Sequence, residues 1–69
     1  MEAEEWGRRI RAFRKLKGFT QAQLAGSLGI SLSILGEIER ENRIPSEIMI
    51  EQISRVLGVT VDELIKFND

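Results

Sequence analysis

Apolar residues recur at helical spacing through the first quarter of the chain. Between residues 4 and 17 they follow one another at steps of three and four positions, which places them on one face of a helix. They are Trp6, Ile10, Phe13 and Leu16. The sequence therefore predicts a first helix over residues 4–17 with these side chains turned inward. Gly18 follows as a residue suited to a left-handed C-terminal cap.

A second, shorter helix is predicted over residues 21–28. Thr20 and Gln23 have the spacing of a capping box, in which each side chain satisfies a backbone N–H at the start of the helix. Gly29 ends the helix. The residues expected to face inward are Leu24, Ala25 and Leu28. Because Ala25 is small, it allows another helix to approach closely.

A third helix follows after residues 29–31, and so short a connection makes two helices cross steeply. Ser31 is the expected N-cap, and the helix continues through Arg40 with Leu35 and Ile38 turned inward. Asn42 is the expected left-handed residue after its end.

Two further helices complete the predicted fold. Pro45 prevents continuation of the third helix, and Ser46 caps a fourth that extends to Leu57. Thr60 and Glu63 form a second capping box at the start of a short fifth helix through Phe67. The fourth helix carries one apolar stripe of Ile50, Ile53 and Leu57 beside another of Met49 and Val56. The sequence thus predicts an all-α, compact five-helix domain over residues 1–69.

Composition narrows the class of protein. A chain of 69 residues with 42% hydrophobic residues suits one domain with one modest core. Charged residues make up 30%, and no stretch approaches the roughly 18 apolar residues of a membrane span. The acidic N-terminus is not followed by the apolar run of a secretory signal. We therefore expect a cytoplasmic protein that is not in a membrane.

The residue types that most often carry enzyme chemistry are missing. The chain has no cysteine and no histidine, which removes disulfides, thiolate metal sites and the commonest general base and metal ligand. No nucleophile and base can be assembled from what remains. We expect no enzyme, no catalytic residue, no cofactor and no metal.

Charge is unevenly distributed along the chain. The net charge of −1 is not the basic balance typical of a strong nucleic-acid binder. However, the cationic side chains crowd into residues 8–17, which can form a local basic face. They are Arg8, Arg9, Arg11, Arg14, Lys15 and Lys17. This run is equally compatible with phosphate binding and with a solvated helix face.

Several segments together resemble one known family. They are Thr20-Gln21-Ala22-Gln23-Leu24-Ala25, Leu28-Gly29-Ile30-Ser31, Ile38-Glu39, Arg43-Ile44-Pro45-Ser46 and Leu57-Gly58-Val59-Thr60-Val61-Asp62-Glu63-Leu64. The chain resembles the phage repressor and Cro-type (Xre-like) helix-turn-helix family over nearly its whole length. The resemblance implies a lambda-repressor-like fold with the helix-turn-helix at about residues 20–40. It also implies a regulator that binds double-stranded DNA as a dimer, on the nucleoid.

The resemblance also implies which residues contact DNA. Gln21 at the start of the second helix and Arg43 after the third would bind phosphates. The third helix would lie in the major groove and meet base edges. The remaining residues implied at the DNA surface are Ser31, Leu32, Ser33, Ile34, Glu37 and Arg40.

The side chains on the third helix are unusual for base reading. Positions 32, 33, 34 and 37 carry none of the Arg, Lys, Asn or Gln residues that usually contact bases. Leu32 and Ile34 are expected to be exposed and to contact thymine methyl groups, while Glu37 accepts from a cytosine amino group. DNA shape would then supply part of the specificity. The alternative is a protein-interaction module in which Leu32, Ile34 and Glu37 contact a protein partner.

Two further expectations concern structure and assembly. In the family that the chain resembles, the residues at Arg14 and Glu39 form an ion pair between the first and third helices. The apolar residues near the C-terminus exceed what two short helices can bury in so small a domain. A homodimer interface is therefore expected at Met49, Val56, Ile65 and Phe67. The alternative is that these residues complete the core of a monomer.

Overall fold

The computed structural model describes residues 6–65, which are organised into five helices. These are α1 (Trp6–Leu16), α2 (Gln21–Leu28), α3 (Leu32–Glu39), α4 (Glu47–Leu57) and α5 (Val61–Ile65). No strand occurs within this range. The predicted all-α, five-helix fold is confirmed. Over the same range, no helix is both long enough and apolar enough to cross a membrane.

The helix ends follow from the capping residues in the sequence. The Thr20 hydroxyl accepts from the Gln23 backbone N–H at 3.0 Å, and the Gln23 side chain accepts from the Thr20 N–H at 2.9 Å. Thr60 and Glu63 repeat this box before α5. The hydroxyls of Ser31 and Ser46 cap α3 and α4. Gly29 and Gly58 close α2 and α4 in the left-handed conformation.

The end of α1 differs from the prediction at Leu16. This side chain was expected to face inward, but it is exposed. The helix ends there, and the chain turns at Lys17 and Gly18. Phe19, directly after the turn, packs against the core instead. At this end of α1, Phe19 and not Leu16 therefore contacts the core.

The prediction of Asn42 as the left-handed residue after α3 was wrong, because that residue is Glu41, with φ of 67°. The Glu41 N–H donates to the Ile38 carbonyl at 3.0 Å, and the Asn42 N–H donates to the Glu37 carbonyl at 2.9 Å. These two bonds form a Schellman motif, which places the left-handed residue one position earlier than expected. Glu41 also accepts a hydrogen bond from the Arg8 backbone N–H in the first turn of α1, at 3.3 Å. The unfavourable φ of Glu41 is therefore accompanied by a hydrogen bond between this residue and α1.

All five helices contribute to one core. Its buried residues are Ile10, Leu24, Ala25, Leu35, Ile38, Ile50, Ile53, Leu57 and Leu64. Leu28, predicted to face inward, is half-buried and packs against this cluster from its edge. Since α3 supplies Leu35 and Ile38 to the centre, its orientation is set by the packing of the whole domain.

The first helix crosses α3 at very short range through Gly7. A Cβ atom at this position would lie 2.1 Å from the Ile38 carbonyl oxygen and 2.9 Å from the Glu39 carbonyl oxygen. Any larger residue would therefore push the two backbones apart. The absence of a side chain at Gly7 brings α1 directly against the end of α3.

Candidate nucleic-acid interface

The helix-turn-helix consists of α2, residues 29–31 and α3. The Ile30 N–H donates to the Ala25 carbonyl at 3.1 Å, which completes the turn after α2. Ala25 is itself buried and, as expected from its size, allows close packing in this region. The turn and the buried contacts between α2 and α3 hold the two helices at a fixed angle.

One side of α3 faces solvent. Ser33, Glu37 and Arg40 are spaced by four and three residues and retain solvent access, and we call them the outer face of α3. The inner face consists of the buried Leu35, Ile38 and Glu39. Ser31 at the N-cap is exposed, as is Leu32 in the first turn, whose exposed fraction is 51%. Six of the eight predicted DNA contacts, all but Gln21 and Arg43, thus belong to α3 and its caps. Among these six, Ile34 does not have the expected exposure.

The prediction that Ile34 is exposed was wrong, because this side chain is half-buried and packs against the core. It lines a groove between α3 and the segment before α4, together with Ile30, Ile44 and Met49. Ile34 precedes Ile38 by one helical turn and continues the inner face toward the start of α3. The segment after α3 returns to this side of the helix and lines the same groove, which the sequence of α3 alone does not reveal.

A buried ion pair joins α1 to the inner face of α3. Arg14 donates from Nε to Glu39 Oε2 at 2.6 Å and from Nη2 to Glu39 Oε1 at 3.0 Å. The exposed fractions of these side chains are 8% for Arg14 and 2% for Glu39. Arg14 Nη1 also donates to the Phe19 carbonyl in the turn before α2, at 2.9 Å. This is the pairing that the resemblance to the family implies, and it is bidentate and shielded from water.

Gln21 extends this network to α2. Its Nε2 donates to Glu39 Oε1 at 2.9 Å, so the amide of the predicted phosphate-binding residue is already held by the inner face of α3. A primary amide has two N–H donors and a carbonyl oxygen, which leaves one donor for a further partner. The Glu39 carboxylate thus connects the start of α2, the end of α3 and, through Arg14, α1.

A second ion pair lies on the outer face of α3. Arg43 Nε donates to Glu37 Oε1 at 2.8 Å, with exposed side-chain fractions of 48% for Arg43 and 39% for Glu37. The sequence predicted separate roles for them, with Arg43 binding a phosphate and Glu37 contacting a base. The structure brings them together into one charge-neutral unit.

The side chain of Arg40 lies close to Gly36, a contact that the sequence did not predict. A Cβ on Gly36 would lie 3.0 Å from Arg40 Nη1 and 3.8 Å from Arg40 Cζ. The Arg40 guanidinium therefore lies back along α3 over the glycine. Glycine is unusual in the middle of a helix. Here the absence of a side chain at Gly36 leaves room for the Arg40 guanidinium against the side of α3.

The residues predicted for a dimer interface are only partly described. Met49 and Val56 are half-buried and pack against the core of their own chain. The Ile65 side chain and Phe67 lie outside the described residues. Two further apolar residues, Ile44 before α4 and Ile48 within it, are exposed.

Cationic side chains are concentrated on the exposed side of α1. Arg8, Arg11 and Lys15 are exposed and follow the helical spacing of three and four. Within residues 6–65 no group of three acidic side chains is arranged to hold a metal ion. The exposed side of α1 is thus a basic strip.

Known proteins are similar to this chain in both sequence and fold. A family model described as helix-turn-helix matches residues 10–64. The chain is 66% identical over 64 residues to the uncharacterized HTH-type transcriptional regulator YazB of Bacillus subtilis (strain 168), and the match covers 93% of each protein. It is 40% identical over 60 residues to the HTH-type transcriptional regulator SinR of the same organism, covering 86% of this chain but 54% of SinR.

The fold is also found among solved structures. A crystal structure of SinR, the master regulator for biofilm formation, in complex with DNA matches with a TM-score of 0.81 at 39% identity. The match covers 88% of this chain and 98% of that one.

Proposed function

Because the chain belongs to the helix-turn-helix family of transcriptional regulators, which are not enzymes, we propose that it is a sequence-specific regulator that binds double-stranded DNA. In this proposal α3 lies in the major groove and α2 is braced across it. The observation that carries the proposal is the exposed outer face of α3, held in a fixed orientation by the buried Arg14–Glu39 pair behind it.

Phosphate contacts would position the protein on the duplex. Gln21 is at the start of α2, where the positive end of the helix dipole favours a phosphate, and its bond to Glu39 orients the amide. Arg43 is half-exposed beside the end of α3 and offers further N–H donors. Both residues would set the position of α3 without contacting a base themselves.

Base contacts would come from α3 and its caps. Ser31, Ser33 and Arg40 are exposed and can hydrogen-bond to bases or phosphates. Leu32 is exposed and suited to a thymine methyl group. Ile34 is half-buried, so we assign it a smaller share of any base contact and expect DNA shape to contribute to specificity.

We further propose that the protein acts as a homodimer on chromosomal DNA in the cytoplasm. The region of α4 and α5 is the proposed interface, with Met49, Val56, Ile65 and Phe67 as its predicted residues. The exposed Ile48 on α4 adds apolar surface there. Two copies related by a two-fold axis would place their α3 helices on two half-sites. Sedimentation at tens of micromolar should show a dimer, and a monomer at millimolar concentration would contradict this part.

Titration against DNA at two salt concentrations tests the proposed function. Duplexes of random sequence and genomic fragments should both bind at low salt, with affinity falling steeply as salt rises. Arg43→Ala should flatten the slope of log affinity against log salt by roughly one unit. Gln21→Ala should weaken binding to a similar extent across sequences.

Lys17→Ala provides the matched control, because it removes an exposed cation that lies on neither α3 nor the proposed dimer interface. It should leave the preference among sequences unchanged. If no duplex binds at low salt, the proposal fails. Leu32→Ala, tested for loss of a co-purifying protein, would then examine α3 as a surface for a protein partner.

A further inference from the structure

We propose that Glu37 selects a cytosine and that Arg43 positions it by joining the Glu37 carboxylate to a DNA phosphate. This inference rests on the proposed DNA-binding function and names the base that the outer face of α3 reads. In it, Arg43 is a positioning residue, because it acts on base choice through Glu37.

The donors and acceptors of the pair suit this role. The contact between Arg43 Nε and Glu37 Oε1 uses one of the five N–H donors of the guanidinium. A carboxylate has about four lone-pair positions, so a single hydrogen bond leaves it able to accept from a base. The pair can therefore hold a phosphate at one end and a base amino group at the other.

The chemistry of the groove selects cytosine. In the major groove cytosine offers only its N4 amino donor, guanine offers two acceptors, and thymine offers an acceptor and a methyl group. Adenine has an amino donor, but its N7 acceptor lies beside it and would repel a carboxylate. A carboxylate at position 37 thus favours cytosine over the other three bases.

The charge of Glu37 explains why a partner is needed. A lone carboxylate beside the phosphates would be repelled, whereas the Arg43–Glu37 pair is neutral as a unit. Because both side chains are well exposed, the pair contributes little to the stability of the fold. Its location on the outer face of α3 therefore points to a role with a ligand.

Selection from a pool of duplexes with randomised positions tests the inference. The wild-type protein should enrich cytosine at one base pair for each bound protomer, by about fivefold or more over the other bases. In a fixed duplex, replacing that cytosine by N4-methylcytosine keeps the pairing with guanine but places a methyl group on the major-groove side of the amine. This replacement should remove the preference.

Three variants separate the roles of the two residues. Glu37→Gln should lose the cytosine preference and shift it toward adenine, while binding random duplexes more tightly. Arg43→Lys keeps the charge but not the planar fork that holds two anions, so the affinity should fall by only a few-fold while the cytosine preference drops. Lys17→Gln, the control, removes an exposed cation that lies on neither α3 nor the proposed dimer interface, and it should keep the preference.

The outcomes distinguish the two levels of the argument. If no duplex binds at low salt, the DNA-binding function itself is wrong. If DNA binds but Glu37→Gln and N4-methylcytosine leave the base preference unchanged, cytosine reading by Glu37 is overturned. A cytosine preference that persists in Arg43→Lys overturns the positioning role of Arg43. Circular dichroism of each variant verifies that it is folded.

Discussion

Two carboxylates lie two residues apart on α3, and each is paired with an arginine, yet they occupy different surroundings. Glu39 on the inner face has 2% of its side chain exposed, and Glu37 on the outer face has 39% exposed. Two residues correspond to about 200° around a helix, so the two charges point in opposite directions. The same chemical pair therefore serves structure where water is excluded and remains open to a ligand where water is present.

The largest difference between the two faces should appear when each glutamate is removed. Glu39→Ala leaves the Arg14 guanidinium buried without its carboxylate, and we expect a loss of about 3–5 kcal/mol in the free energy of unfolding. Urea denaturation followed by circular dichroism measures this. Replacing the pair together, as Arg14→Met with Glu39→Leu, should cost much less than the sum of the single changes. A loss below about 1 kcal/mol for Glu39→Ala would place this pair in the same class as an exposed one.

Gly7→Ala tests how closely the inner face of α3 is packed. Its Cβ would lie 2.1 Å from the Ile38 carbonyl oxygen, and separating the two helices should cost about 1–3 kcal/mol. The matched control is Gly26→Ala on α2, where a Cβ meets nothing within 4 Å. That change should instead raise stability by up to about 1 kcal/mol through helix propensity. Equal effects of the two substitutions on the unfolding midpoint would contradict the close crossing.

Gly36→Ala should separate stability from binding on the outer face. Alanine favours the helix by up to about 1 kcal/mol, while the contact at 3.0 Å involves the movable end of the Arg40 side chain. We therefore expect a small gain in stability together with weaker DNA binding, since Arg40 must leave its place. Thermal unfolding and DNA titration of the same sample measure the two effects. A fall in stability would show that the guanidinium cannot move aside.

Glu37→Ala should have the smallest effect on the fold. Loss of an exposed ion pair changes stability by less than about 1 kcal/mol. The same urea experiment as for Glu39→Ala gives a direct comparison between the two faces. A loss as large as that of Glu39→Ala would mean that the Arg43–Glu37 pair is structural, and would remove the reason for assigning it to a ligand.

Local signals in the sequence predict much of this fold. The capping boxes at Thr20 and Thr60 and the serine caps at Ser31 and Ser46 define helix starts through bonds within one turn. Such bonds depend only on neighbouring residues, so they can be read without tertiary information. The Arg14–Glu39 pair spans 25 positions, and only the resemblance to a family made it predictable.

The features that the sequence did not reveal depend on contacts between distant segments. Ile34 packs against the core beside a groove that it shares with the segment before α4, and Phe19 packs against the core while Leu16 is exposed. Glu41 adopts a left-handed conformation while capping α1. The pairing of Glu37 with Arg43 depends on the path of the loop after α3. Periodicity describes one helix at a time and does not contain this information.

The end of α3 has a consequence for protein engineering. Glu39 forms an ion pair with Arg14, and Glu41 accepts a hydrogen bond from the Arg8 backbone N–H. Both partners belong to α1. A graft of residues 20–42 onto another scaffold would bring an unmatched acid and a left-handed glutamate without the contacts that accompany them here. The helix-turn-helix motif is therefore not suited to transfer on its own. Its smallest transferable unit includes α1, and recipients should be chosen for a first helix that can approach as closely as Gly7 permits.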